Sequence, residues 1–111
     1  MSQLRLSEVS LLRQDFIRKC QRTGFGKIIG LTVRDGEPVF TQQTEVLMDL
    51  KLDGDEDPRP ELNITDYVLC AEIVRLFSKL DAIRNGVIEH IEVRAGIPRR
   101  IVVRDSDLMH S

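Results

Sequence analysis

Five arginines near two similar segments are the residues of this sequence with the clearest potential for binding chemistry. Arg34 and Arg94 hold the same place in "VRDGEP" (33–38) and "VRAGIP" (93–98), and three more arginines follow the second segment. Guanidinium groups bind phosphates and carboxylates through paired hydrogen bonds. The sequence therefore indicates five candidate residues for binding an anion or a partner, namely Arg34, Arg94, Arg99, Arg100 and Arg104.

Three uses of this basic set remain open. If Arg94, Arg100 and Arg104 project from one face of an antiparallel hairpin, they form a patch that can hold nucleic-acid phosphates. Against that use, no aromatic side chains are interleaved with them, and Glu89 and Glu92 lie on the same hairpin. The second interpretation is a solvated face on which Arg94 or Arg100 pairs with Glu92 across the strands. The third is a site for a protein partner or a small anionic ligand.

The sequence contains no constellation typical of an enzyme. A nucleophile needs an activating partner, and no Ser or Cys is placed beside His90, which is predicted to face solvent from a strand. The glycines of "TGFG" (23–26) match neither a P-loop nor a dinucleotide-binding fingerprint. We therefore predict a non-enzymatic protein with no catalytic residue and no cofactor.

Metal binding is not predicted either. Cys20 and Cys70 each have apolar neighbours within a helical pattern, which is typical of small buried side chains, and the sequence has only two histidines to join them as ligands. The acidic run 53–57 begins like a calcium loop. Its sixth position is Pro58 instead of glycine, however, and its twelfth is Ile64 instead of glutamate, so the calcium-loop interpretation fails.

Charge is distributed unevenly along the 111 residues, whose net charge is −2. Residues 1–34 carry +5, residues 35–66 carry −8, and residues 67–111 carry +1. The acidic middle would repel phosphates, so any basic face must come from the flanking parts. No apolar run reaches the roughly 18 residues of a membrane span, and the N-terminal residues lack a signal-peptide pattern. We therefore expect a cytoplasmic protein with no membrane contact.

The two similar segments belong to a longer internal repeat. With an offset of sixty residues, "GKIIGLTVRDGEP" (26–38) aligns without gaps to "GVIEHIEVRAGIP" (86–98). Such self-similarity indicates a duplicated structural unit. The predicted single domain, 1–111, then comprises repeat 1 (7–52), an acidic linker (53–61), repeat 2 (62–104) and a tail (105–111).

Each repeat begins with a helical pattern. The first is predicted to start at Ser7 as N-cap and to stop at Gly24, with one apolar face formed by Val9, Leu12, Phe16 and Cys20. The second is predicted to be capped by Asn63 or Thr65 and to end at Asn85-Gly86. Its apolar stripe is wider and comprises Leu69, Cys70, Ile73, Val74, Leu76, Phe77, Leu80 and Ile83.

A two-residue period follows each helix and predicts a hairpin. The residues expected to face the core are Ile29, Leu31 and Val33 in the first copy, and Val87, Ile91 and Val93 in the second. Glu89 breaks the alternation, which indicates a bulge or an edge position near 88–90. Asp35-Gly36 is a strong signal for a two-residue turn, whereas Ala95 resists positive φ and favours another turn type.

Together these elements predict an α+β fold. Two helix–hairpin repeats in the order αββαββ, related by a pseudo-twofold axis, would form an antiparallel sheet covered by two helices. The first return arm is longer than the second, and in "EVLMDLKL" (45–52) the apolar residues Val46, Met48, Leu50 and Leu52 share one face. The arm 44–52 is therefore the candidate free edge for dimerisation.

The segment "FGKIIGLTVRDGEPVFTQQTEVLMDL" (25–50) resembles the YezD-like family of small bacterial proteins of unknown function. The resemblance lies in Gly26-Lys27-Ile28, Asp35-Gly36 and Thr44-Glu45, and the second copy keeps Gly86, Ile88 and Gly96 but lacks the Thr-Glu pair. It implies a tandem duplication of such a unit, pairing of units as dimers, and a bacterial cytosolic setting. It implies no activity and no binding residues.

The sequence therefore predicts a protein-interaction or assembly module, with a protein partner or a second copy of itself. The alternative is a nucleic-acid-binding accessory protein that uses the basic second hairpin.

Overall fold

The computed structural model describes residues 5–52 and 69–104. Helix α1 spans Leu11–Thr23 and helix α2 spans Ala71–Ile83, and a short 3₁₀ turn, Leu6–Glu8, precedes α1. The strands are β1 (Gly26–Arg34), β2 (Glu37–Val39), β3 (Glu45–Met48), β4 (Gly86–Arg94) and β5 (Ile97–Val103). The predicted α+β class is confirmed, while the acidic linker 53–61 and the tail 105–111 lie outside the described residues.

All described strand pairs are antiparallel. The strand order is β2-β1-β4-β5, and β3 also pairs with β1, beyond the end of β2. β1 and β4 pair along nearly their whole length, from Gly26 opposite Val93 to Val33 opposite Gly86. The two hairpins therefore join through their first strands, and the return strands lie at the two sides of the sheet.

The core lies between the sheet and the two helices. α1 contributes Phe16, Ile17 and Cys20, each with no exposed surface, while α2 contributes a full apolar stripe that ends at Ile83. Each fully buried aliphatic or aromatic side chain of this kind stabilises the fold by about 1.5–3 kcal/mol. The sheet supplies matched triplets from its two central strands, namely Ile28, Leu31 and Val33 with Ile88, Ile91 and Val93.

Two residues predicted to face the core do not. Val87 is exposed and Ile29 is only partly buried, and Ile28 and Ile88 are fully buried in their place. The alternation fails at the centre of both strands, because Gly30 adopts a φ of +72° in β1 and the β4–β5 register shifts between Ile88 and His90. The predicted irregularity near 88–90 is thus confirmed.

Both hairpin turns have the same backbone. Asp35 and Gly36 have φ values of 53° and 77°, and Ala95 and Gly96 have values of 54° and 77°. Two consecutive positive φ angles are typical of the type I′ turn, which matches the twist of the flanking strands. The prediction of a different turn type at Ala95 was therefore wrong.

The helix starts also differ from the predicted ones. α1 begins after Ser10, whose side chain accepts the Arg13 N–H at 3.2 Å, so Ser10 is the N-cap instead of Ser7. Leu12, which was predicted to lie on the apolar face, is exposed, and Ile17 is buried with Phe16 and Cys20. α2 starts after Cys70, and the predicted caps Asn63 and Thr65 lie outside the described residues.

The first return arm is interrupted. β2 ends at Val39 and β3 starts at Glu45, so the predicted continuous arm 44–52 has regular strand pairing only in its first part. The intervening loop folds on itself, with the Thr44 hydroxyl donating to the Gly30 carbonyl at 3.0 Å and accepting the Thr41 N–H at 3.0 Å.

Candidate functional site

The five predicted arginines do not converge. Arg34 ends β1 and Arg94 ends β4, and these strands run in opposite directions. By the register, Arg94 lies beside residue 25, nine positions from Arg34 along β1. At about 3.3 Å per residue the two arginines are roughly 30 Å apart. Arg34 and Arg94 therefore cannot hold one small anion together.

Three arginines of the second hairpin already have carboxylate partners. Arg94 Nε lies 2.8 Å from Glu92 Oε1, Arg99 Nη1 lies 2.7 Å from Glu72 Oε2, and Arg104 pairs with Glu89. These pairs neutralise most of the predicted basic patch on the outer face of the hairpin. Arg34 and Arg100 are exposed, and neither forms an ion pair with another described residue.

A second set of cations lies where helix α2 meets the edge strand β5. Arg75 and Lys79 of α2 line a shallow groove of about 180 Å³ together with Arg99 and Arg100 of β5. Glu72 is the only acidic residue that lines the groove. We call this the α2–β5 groove. Two of its four cations, Arg99 and Arg100, belong to the set predicted from the sequence.

Glu72 remains ionised in this groove. A backbone N–H bonded to its carboxylate, followed by the charges of Arg99 and Arg75, holds the pKa of Glu72 below its ordinary value, although partial desolvation opposes the shift. One carboxylate against four cations leaves the groove with an excess of positive charge. The sequence places Arg75 and Lys79 on one helix face through their four-residue spacing, but nothing in that spacing identifies β5 as the neighbour.

Arg13 forms an ion-pair cluster that sequence patterns did not reveal. Its Nη2 donates to Asp81 Oδ1 at 2.6 Å and to the Gly36 carbonyl at 2.9 Å, and its guanidinium carbon lies 4.8 Å from the centre of the Phe77 ring. Nε lies 3.2 Å from Glu37 Oε1 but is not aligned for a hydrogen bond. Because all its polar partners are internal, Arg13 joins α1, the first hairpin and α2 as a structural group.

Exposed apolar side chains are concentrated along the edge strand β3 and the residues that follow it. Its four residues are all exposed, and those with apolar side chains are followed by two further exposed leucines. The exposed fractions are 42% for Val46, 49% for Leu47, 47% for Met48, 59% for Leu50 and 97% for Leu52. On its far side from β1, no other described strand pairs with β3. We call residues 45–52 the β3 edge.

An open groove adjoins the β3 edge at the first residues of β1. Phe25, itself 52% exposed, lines it together with Leu47 and Met48. The groove has a volume of about 410 Å³, and charged residues of both signs border it, namely Lys27, Asp49, Glu92 and Arg94. A mixture of apolar and charged residues is typical of protein-interaction surfaces.

The backbone of β1 holds β3 closely. A Cβ atom on Gly26 would lie 1.9 Å from the Leu47 carbonyl oxygen, so glycine is needed for this approach. The Asp49 N–H donates to the Phe25 carbonyl at 2.7 Å and extends the pairing by one residue. The β3 edge is therefore fixed in place while its apolar side chains remain accessible.

Two observations concern metal binding and thiol reactivity in the described part of the chain. Within 5–52 and 69–104, no three His, Cys, Asp or Glu side chains are grouped so that they could hold a metal ion. Burial raises the pKa of the Cys20 thiol far above its ordinary value, which removes the thiolate needed for reaction. No helix in the described part of the chain is both long and apolar enough to cross a membrane.

Comparisons of the chain with protein-family models, curated proteins and solved structures found no match.

Proposed function

We propose that this protein is a small, non-enzymatic, cytoplasmic interaction module that binds another protein strand along the β3 edge. The observation that carries the proposal is the run of exposed apolar side chains on a strand whose outer side has no partner among the described strands. An unpaired strand edge presents a row of backbone donors and acceptors, and it recruits extended segments by strand addition.

Within strand β3 itself, the side chains that normally block such pairing are absent, and the lysine of the β3 edge, Lys51, lies beyond the end of the strand. Proteins protect exposed edges with lysine, proline or inward-pointing charges. β3 (Glu45–Met48) contains neither lysine nor proline, and its single charge is Glu45 at its first position. By contrast, the edge strand β5 has Pro98, Arg99 and Arg100 within it.

Site-specific crosslinking tests the proposal directly. A photoreactive amino acid at Leu47 is expected to crosslink in the producing cell to a protein strand, whichever protein supplies it. Val102 is 40% exposed on β5 and serves as the matched control position, where we expect no crosslinked band. Equal crosslinking at both positions, or none at Leu47, would contradict the β3 edge as the interaction surface.

The α2–β5 groove supports a second candidate function, namely binding of a nucleic-acid backbone. Arg75, Lys79 and Arg100 form no ion pair with any other residue in the described ranges, so their charges are available for phosphates. Retention on heparin at low salt, lost in the double variant R75E/R100E, is the expected result. The double variant R34E/R84E changes the net charge equally at exposed positions outside the groove and should be retained. Wild-type protein that flows through at low salt would eliminate this candidate.

We further propose that the chain is a tandem duplication of a YezD-like unit, with its halves related by a pseudo-twofold axis. Supporting this, the bounds of α1, α2, β1 and β4 differ by sixty residues, and β1 and β4 have the same burial pattern. Their register is reciprocal as well, since Gly26 pairs with Val93 and Val33 pairs with Gly86.

A further inference from the structure

We propose that the strand added to the β3 edge is the β3 edge of a second copy of this chain, paired antiparallel about a twofold axis at Met48. This inference rests on the proposed interaction function and specifies its partner and register. Two features of the β3 edge support this inference. The first is the set of backbone groups that are not bonded to β1, and the second is the pattern of charges that each register would bring together.

The free backbone groups can be assigned from the contacts with β1. In an antiparallel strand, the N–H and C=O of one residue point to the same side, and successive residues alternate. The Asp49 N–H bonds to the Phe25 carbonyl, and the Leu47 carbonyl faces Gly26, so Asp49 and Leu47 point toward β1. Val46 and Met48 therefore direct their N–H and C=O groups outward, to the unpaired side, and continuing the same alternation past Asp49 places those of Leu50 there too.

This alternation limits the registers available to a symmetric pair. Outward-pointing residues must lie opposite outward-pointing residues, so the twofold axis passes through a residue and never between two residues. An axis at Leu47 would place Glu45 opposite Asp49 of the second copy, and an axis at Asp49 would place the two Asp49 carboxylates opposite each other. Like charges directly opposite are destabilising, so both registers are disfavoured.

An axis at Leu50 would place Asp49 opposite Lys51, but it would leave residues 45–47 without partners inside the β3 edge. An axis at Met48 pairs opposite charges and matches the whole segment 45–51 with itself. Glu45 then lies opposite Lys51 of the second copy, and symmetry repeats this pair at the other end of the interface. Met48 lies opposite its own copy, and Val46 lies opposite Leu50. The segment "EVLMDLK" (45–51) can thus pair antiparallel with a second copy of itself, because its first residue is negative and its last residue is positive.

The same register joins the apolar side chains into one stripe. Val46, Met48 and Leu50 share one face of the extended chain, and Val46 lies opposite buried Ile28 of β1. Two copies would therefore align six apolar side chains on the face that already carries the core. The β5-β4-β1-β3 order of each copy would continue into an antiparallel sheet of eight strands across the axis, a size that twisted sheets accommodate.

Charge reversal with rescue tests the register. We expect full-length wild-type protein to form a dimer in sedimentation equilibrium. The variants E45K and K51E each create two like-charge pairs, and each should raise the dimer dissociation constant about tenfold. The double variant E45K/K51E restores opposite charges with exchanged positions, and its dissociation constant should return to within about threefold of wild type.

The remaining variants separate the outcomes. D49K should change dimerisation little, because Asp49 faces Leu47 of the second copy in this register. If D49K weakens the dimer while E45K does not, the axis lies at Leu50 and the proposed register is wrong. If V46K abolishes the dimer but both charge reversals leave it unchanged, the protein dimerises through the β3 edge, but the register with its axis at Met48 is wrong. If the wild type is monomeric while Leu47 still crosslinks to another protein, the second-copy proposal fails and the interaction function survives.

Discussion

The Gly36 amide donates a 2.8 Å hydrogen bond to the carbonyl of Arg84, which joins the turn of the first hairpin to the end of the second helix. The reciprocal bond, also 2.8 Å, runs from the Gly96 amide to the carbonyl of Gly24 at the end of the first helix. Each hairpin turn thus fixes the helix end of the other half. Both carbonyl groups belong to residues with positive φ, since Gly24 and Arg84 have φ values of 72° and 63°.

Replacing Arg84 with glycine should stabilise the protein. Each helix end forms a three-residue γ-turn, with hydrogen bonds from Asn85 N–H to Ile83 O at 2.7 Å and from Phe25 N–H to Thr23 O at 2.8 Å. Gly24 adopts this conformation without steric cost, whereas a side chain at positive φ costs roughly 1–2 kcal/mol. After the entropy lost by glycine on folding, R84G should raise the free energy of unfolding by about 1 kcal/mol in urea titrations.

The reverse change provides the matched control for R84G. Gly24→Ala places a side chain at the equivalent helix end and should lower the free energy of unfolding by about 1 kcal/mol or more. Arg84 is exposed, and it has no ion pair to lose within the described residues. A destabilised R84G variant would therefore show that the positive φ at this position carries no strain.

The second hairpin turn should respond to the same substitution. Ala95 has a φ of 54°, close to the 53° of Asp35, but unlike Asp it has no polar side chain suited to the left-handed region. A95G should raise the free energy of unfolding by up to about 1 kcal/mol. D35A is the matched control and should lower it by a similar amount. If chemical denaturation shows that A95G raises the free energy of unfolding and D35A lowers it, both turns require positive φ.

Local sequence signals predicted much of this fold, since the change from a helical to a two-residue period marks each helix–hairpin boundary. Gly24 ends α1 as expected, and Glu89 correctly indicated an irregular position in β4. The facing of Ile29 and Val87 was mispredicted because a strict two-residue period cannot locate a bulge to the residue. Ser7 and Ser10 are both good caps, and only packing of the following turn selects Ser10.

The candidate sites depended more on tertiary contacts than on local patterns. The exposed arm at 44–52 was recognisable because an alternating apolar strand needs a covered face. The carboxylate partners of Arg99 and Arg104 could not be recognised from the sequence, because they depend on which helix and which strand position lie beside the hairpin. Arg13 was missed for the same reason, because its partners Gly36 and Asp81 are distant in sequence.

The two cysteines should differ sharply in reactivity. Cys20 is fully buried and its thiol pKa is raised by desolvation, whereas Cys70 is only partly buried at the start of α2. Ellman's reagent at pH 8 should therefore modify one thiol rapidly in the native protein and both in denaturant. C70S should remove the rapid phase, and C20A should leave it unchanged. Rapid modification of native C70S would show that the core around Cys20 opens readily.

The close pairing of β3 with β1 should depend on Gly26. A Cβ at this position would lie 1.9 Å from the Leu47 carbonyl oxygen and 3.1 Å from the Met48 Cα, and these backbone atoms cannot rotate away as a side chain would. G26A should therefore displace β3 from β1 and lower the free energy of unfolding by about 1–3 kcal/mol. It should also weaken dimerisation in sedimentation equilibrium, because the displaced strand no longer presents Val46 and Met48 in register. Gly86 occupies the same position in β4 but lacks a positive φ, so G86A is the matched control and should dimerise normally. A G26A variant with wild-type dimerisation would mean that the close approach of β1 and β3 is not needed to present the edge.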